Sequence, residues 1–113
     1  MTRRVAMAVL ATLTMVMVAT AARAADPKEI PITIENNRFS PEEIKVKAGE
    51  PFVLVVTNKD KAPEEFESKD LRIEKVVPAG KTMKIRVRAL KAGTYPFVGE
   101  YHESTAKGRI IVE

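Results

Sequence analysis

Ile30, Ile32 and Ile34 alternate with polar neighbours, and Met83, Ile85 and Val87 alternate with Lys84, Arg86 and Arg88. A period of two places apolar side chains on one face of an extended chain, whereas a helix would need a repeat of about 3.6. Between such segments stand turn formers: Asn36-Asn37, Ala48-Gly49, Thr57-Asn58, Pro78-Ala79-Gly80 and Ala92-Gly93. Short strands at spacings of roughly eight to twelve residues, each bounded by Gly, Pro or Asn, predict an all-β antiparallel sandwich of seven or eight strands with Greek-key connections. Pro31 has no N–H to give and confines the first strand to an edge, or to the non-bonding side of one. Phe52 to Val56 is continuously apolar, as expected of a strand buried on both faces. Leu71 to Val77 reads as a further strand, and a short helical turn fits only between residues 61 and 75. Phe39, Phe52, Phe66 and Phe97 are expected in the core, with Met83 on its margin.

The amino terminus is of another kind. Arg3 and Arg4 precede an uncharged run from Val5 to Ala22, and Ala22-Arg23-Ala24 follows before Asp26-Pro27. A basic start, an apolar stretch and an A-x-A exit describe a cleaved secretory signal. Residues 1–24 are therefore predicted to be a signal peptide and residues 25–113 a single domain, exported to the periplasm with no membrane span after cleavage. An uncleaved anchor helix is the alternative, because the run approaches the roughly 20 residues that cross a bilayer. Arg3-Arg4 leaves twin-arginine export open beside the general secretory route.

Export changes the electrostatic reading. Three of the 19 Lys and Arg leave with the signal while all 15 Asp and Glu stay, so the net charge falls from +4 to +1. No basic stripe with interleaved aromatics remains, which argues against nucleic acid as a partner. The chain has no cysteine, and this excludes disulfide staples and a thiolate metal ligand alike. A domain of this size must hold by packing alone, as a monomer or a weak dimer.

Two stretches carry more than fold. In FSPEEIKVKAGEP, Phe39 leads Pro41, Ile44 and Val46 alternate, and Gly49 closes. In YPFVGEYHESTAKG, Tyr95 and Phe97 alternate as a strand would, the only histidine, His102, lies between Glu100 and Glu103, and Lys107-Gly108 returns the chain to Ile110-Ile111-Val112. A strand, a polar loop and a closing strand follow from that order. Both stretches resemble cupredoxins, the small copper-binding β-sandwiches, over nearly all of residues 29–113. The form is similar to the cupredoxin-like domain of EfeO-type periplasmic iron-uptake proteins, which also occurs as a single-domain partner of ferrous-iron permeases.

On the cupredoxin pattern His102 stands at a histidine ligand position, while Glu64 replaces the first histidine, Gly99 the cysteine and Ala106 the methionine. The resemblance thus implies a metal site at one end of the sandwich, but one that is not type 1 blue copper. It would bring Glu64, Glu65, Glu67, Glu100 and Glu103 near the His102 imidazole, and Glu64, Glu67, Glu100, His102 and Glu103 are the expected metal ligands. One nitrogen with several hard oxygens suits iron, manganese or cupric copper better than cuprous copper. The expected cofactor is a transition-metal ion, iron or copper. The expected role is accessory to ferrous-iron uptake, binding iron, handing it over or helping to oxidise it, beside periplasmic or inner-membrane iron-transport components. A copper-buffering protein and a metal-free interaction module are the alternatives. Ser104 and Thr105 are the only hydroxyl nucleophiles beside His102, and nothing marks either as activated, so hydrolysis finds no support.

Overall fold

The period-two segments become strands, as a computed structural model shows for residues 7–18 and 26–113. In chain order these are β1 (Lys28–Glu35), β2 (Arg38–Ser40), β3 (Glu43–Val46), β4 (Phe52–Asn58), β5 (Glu64–Ser68), β6 (Ile73–Val77), β7 (Thr82–Val87), β8 (Gly93–Gly99) and β9 (Lys107–Val112). A 3-10 turn, Glu100–His102, links β8 to β9. Residues 7–18 are exposed and carry no regular secondary structure. Arg3-Arg4 and the Ala22-Arg23-Ala24 cleavage motif lie outside the described residues. Among the described residues no helix is long and apolar enough to cross a membrane.

One sheet has the order β2-β1-β4-β7 and the other β3-β9-β8-β5-β6. The sandwich is as expected, with two differences. There are nine strands among the described residues, because β2, three residues long, returns from the Asn36-Asn37 turn as a strand of its own. The sheets are also mixed: β1 runs parallel to β4 and β3 parallel to β9. Alternation records which face a side chain takes but not the direction of the neighbouring strand, so the expectation of antiparallel pairing throughout is corrected here. Residues 61–75 contain β5, a turn and the start of β6 rather than a helical turn. Pro31 pairs only toward β4, since β2 reaches β1 no further than Thr33. Its missing donor is therefore tolerated in a strand that becomes internal two residues later.

Between the sheets, Ile32, Ile34, Leu54 and Val56 of the first meet Phe66, Val77, Phe97 and Ile110 of the second, all of them buried. Phe66 stacks on Phe97 with ring centroids 5.0 Å apart, and Phe39 meets both edge-on at 5.8 and 5.0 Å. These are the favoured aromatic geometries. The cluster lies directly beneath the end of the sandwich where β5 begins and β8 ends.

Polar ties fix that end. Asn58, fully buried, donates through Nδ2 to the carbonyls of Ala62 and Val77, and its Oδ1 accepts the Asp60 N–H. The Asp60 carboxylate in turn accepts the N–H groups of Asn36 and Asn37, both at positive φ (54° and 57°). Asparagine tolerates this left-handed region better than most residues. The loop that delivers Glu64 is thereby fastened to a hairpin on the opposite sheet. At the far end of β5, Ser68 Oγ donates to the Pro96 carbonyl.

Gly108, half-buried, packs closely against the core at Phe97. A Cβ built on it would come 2.2 Å from Phe97 Cζ and 2.8 Å from the Glu42 carbonyl oxygen. The ring cannot retreat, because it is stacked on Phe66. Gly108→Ala should therefore destabilise the domain by about 1–3 kcal/mol, the usual cost of overpacking a filled core. Urea unfolding followed by far-ultraviolet circular dichroism measures it, and an unchanged midpoint would contradict this packing.

Candidate functional site

β5 reads inward at Glu64, Phe66 and Ser68 and outward at Glu65 and Glu67, because successive side chains of a strand point to opposite faces. This alternation divides the expected ligands between two places. Glu64 faces the interior with its side chain 2% exposed, and it meets His102, which is 31% exposed. Glu67 faces outward and meets Glu100 together with Glu65 and Glu74. Glu103 lies on the same outer side, lining a groove of about 560 Å³ with Glu67, Lys69 and Lys107.

Every acceptor of the Glu64 carboxylate has a partner. Oε1 accepts the N–H of Glu65 and the N–H of Tyr101, each at 3.0 Å, and Oε2 lies 2.5 Å from His102 Nδ1. The loop is closed independently of this contact: Gly99 N–H donates to the Ala106 carbonyl, and the His102 carbonyl accepts the N–H groups of Thr105 and Ala106. The imidazole is thus held from its backbone and from Nδ1. Among the described residues Nε2 has no hydrogen-bond partner, and no buried side-chain polar atom lacks one. Nε2 is therefore open to solvent.

Gly99 creates the space for this arrangement. A Cβ there would stand 2.7 Å from the Glu64 carboxyl carbon, 2.9 Å from its Oε2 and 2.7 Å from Ala106 Cβ. The Glu64 carboxylate therefore sits where a side chain at position 99 would begin. The donor set and the space agree that a thiolate-ligated blue copper ion does not fit: there is no cysteine in the chain, and the volume above Gly99 is filled by a carboxylate.

On the outer face, one carboxylate oxygen from each of Glu65, Glu67, Glu74 and Glu100 lies within 4.8 Å of the others. Glu74 enters because the β5–β6 hairpin pairs it with Glu67. Its signal in the sequence was the hairpin register alone, which alternation does not supply. The crowding shows in the titration of the group. Partial burial and then the charge of Glu100 push the Glu67 carboxyl above the usual carboxylate range. Glu100 is raised by a hydrogen bond shared with Glu65, then by desolvation and the Glu65 charge. Tyr101 is raised by desolvation and then by the Glu65 charge. Carboxylates at this spacing repel unless a proton or a cation joins them.

A model of the cupredoxin-like domain family matches residues 6–112, and the chain belongs to that family. An uncharacterised protein of Rickettsia prowazekii (strain Madrid E) is 39% identical over 84 residues, which cover 74% of this chain and 67% of the relative. The fold is similar to that of auracyanin A, a "blue" copper protein from the green thermophilic photosynthetic bacterium Chloroflexus aurantiacus, with a TM-score of 0.67, 15% identity, and 78% and 100% of the two chains covered. It is also similar to the metal-binding domain of the Streptococcus pneumoniae D39 Cu(I)-exporting P-type ATPase CopA, with a TM-score of 0.64, 18% identity, and 75% and 84% covered. A copper-binding protein in its apo form matches with a TM-score of 0.66 at 24% identity, over 75% of this chain and 86% of the other.

The raised carboxyls fix the sign of a pH effect. Their folded-state values exceed the ordinary 4.5, so the folded protein binds more protons than the unfolded chain between the two values. Their contribution favours folding fully below the unfolded value and is lost as pH rises through the folded value. At neutral pH the repulsion opposes folding, and Glu100→Gln should melt at a higher temperature than the wild type. That advantage should shrink as pH falls toward the carboxylate range. Thermal unfolding of both metal-free proteins across pH checks it, and a difference independent of pH would count against the cluster.

Proposed function

We propose that the protein is a periplasmic metal-binding member of the cupredoxin-like family that holds a divalent transition-metal ion at the His102 end of the sandwich, with cupric copper the ion bound most tightly. The observation that carries this reading is the His102 ring, oriented through Nδ1 by a buried carboxylate while Nε2 remains unpartnered and open to solvent. An imidazole nitrogen selects transition metals over calcium and magnesium, which prefer oxygen. Among divalent first-row ions a site of nitrogen and oxygen binds cupric copper most tightly. Copper is also the metal named for auracyanin A, for the CopA domain, there as Cu(I), and for the apo copper-binding protein, which supports copper but not one oxidation state of it. Glu103, the next residue along the chain from His102, would be a further candidate donor to such a site, with water in the remaining positions.

The outer quartet of Glu65, Glu67, Glu74 and Glu100 supports a second reading, service in ferrous-iron uptake beside periplasmic or inner-membrane transport components. Four hard oxygens suit iron better than soft cuprous copper. The two readings separate by residue.

Calorimetric titration of cupric and ferrous ions into the metal-free protein tests both. His102→Asn keeps a side-chain N–H to face Glu64 but removes Nε2, and it should weaken cupric binding by more than roughly tenfold. Paired Glu67→Gln and Glu100→Gln substitutions should leave cupric binding at His102 in place and weaken ferrous binding if the quartet serves iron. Cupric affinity unchanged in His102→Asn would overturn the copper reading, and ferrous affinity unchanged in the double variant would overturn the iron reading.

A further inference from the structure

We infer that Glu64 is a positioning residue rather than a metal ligand: it fixes His102 as the tautomer with its proton on Nδ1, so that Nε2 is the ligating nitrogen and the ion sits on the outer rim of the loop instead of between the sheets. A carboxylate oxygen accepts hydrogen bonds, and Glu64 Oε1 is already committed to the Glu65 and Tyr101 N–H groups. At 2.5 Å from Nδ1, Oε2 requires a proton between the two atoms, and the ring nitrogen supplies it. In the neutral imidazole the other nitrogen is then a bare acceptor. Nε2 is that nitrogen, and it faces solvent.

Room for an ion is found on one side only. Inside, the carboxylate presses on Gly99 so closely that a single added carbon would meet it at 2.7 Å. Burial of Glu64 without its three donors would be costly, and an ion drawn inward would have to take the place of at least the imidazole proton. Outside, Nε2 needs no rearrangement. Metal-ligating histidines commonly donate their second ring N–H to a carboxylate in this way, which sets ring orientation and raises ligand basicity. An ion held on the rim by one ordered nitrogen keeps positions free for a donor from a partner, which suits a protein that passes its ion on. This last consequence rests on the metal-binding reading above, whereas the tautomer does not.

The Glu64→Gln substitution separates the terms. Two backbone N–H groups demand an acceptor, so the amide oxygen takes the place of Oε1 and the amide NH₂ faces His102. Nδ1 must then accept, and the imidazole proton moves to Nε2, which blocks the ligating lone pair. Long-range proton–nitrogen correlation spectra of the metal-free proteins, at about pH 8 where imidazoles are neutral, read the tautomer directly. The expected result is a proton on Nδ1 in the wild type and on Nε2 in Glu64→Gln, with cupric affinity of the variant lower by roughly 10- to 100-fold. A wild-type ring protonated on Nε2 overturns the inference and needs no variant to do so. A Glu64→Gln protein that keeps the Nδ1 proton and wild-type affinity overturns it as well. Should His102→Asn bind cupric ion like the wild type, the metal-binding reading fails instead, and the wild-type tautomer still decides the role of Glu64.

Discussion

A buried carboxylate at the mouth of a β-sandwich is tolerable only if its charge is met, and the whole loop from Gly99 to Ala106 is arranged so that Glu64 is met three times. Transfer of an unpaired carboxylate into an apolar interior is prohibitive, whereas one that accepts several N–H bonds is tolerated. One of the donors belongs to the neighbouring residue of the same strand and comes without ordering anything else. The other two, the Tyr101 N–H and the His102 ring, must be brought 37 and 38 residues along the chain. The 3-10 turn at Glu100–His102 does this by pointing a backbone N–H and a ring at the same carboxylate from consecutive residues. Because Gly99 has no side chain, the carboxylate has room where these donors hold it.

The second organising constraint is the alternation of β5. A strand cannot aim Glu64 and Glu67 at one point, since odd and even positions leave on opposite faces. The acidic residues that look like one group in the sequence therefore become a paired, interior glutamate and an unpaired, exterior quartet. Their surroundings differ accordingly: Glu64 is held by donors, whereas partial burial and then the Glu100 charge raise the Glu67 carboxyl, and a hydrogen bond shared with Glu65 raises that of Glu100. The outward group is strengthened by Glu74 across the hairpin. Charge near a site and charge at a site are separate matters here.

Much of this was legible in the sequence. The alternation of Ile30, Ile32 and Ile34, and of Met83, Ile85 and Val87, named the faces that are buried or half-buried in β1 and β7. All four phenylalanines lie in the core, and the turns at Asn36-Asn37, Gly49 and Gly80 have the positive φ that those residues accommodate. Strand direction and count were less legible, because a pattern of two says nothing about whether the neighbour runs parallel and because β2 is too short to show one. The meeting of the Glu64 and His102 loops came from the family resemblance rather than from residue chemistry. The division of the acidic residues was available in principle from the parity of positions 64 and 67, but Glu74 required the register of the β5–β6 hairpin, which only the folded chain provides.

Gly99 and Glu64 also constrain the history open to this sequence. Because the first carbon of any side chain at position 99 would fall within 2.7 Å of the Glu64 carboxyl carbon, a cysteine cannot be gained there while Glu64 stays as it is. Glu64 must shrink or turn away first, and that step alone strips the Tyr101 N–H and the His102 ring of their acceptor. A side chain at position 99 and Glu64 in its present place are therefore mutually exclusive. The two positions are epistatic, and the missing methylene of one glycine works as a ratchet between two kinds of metal chemistry.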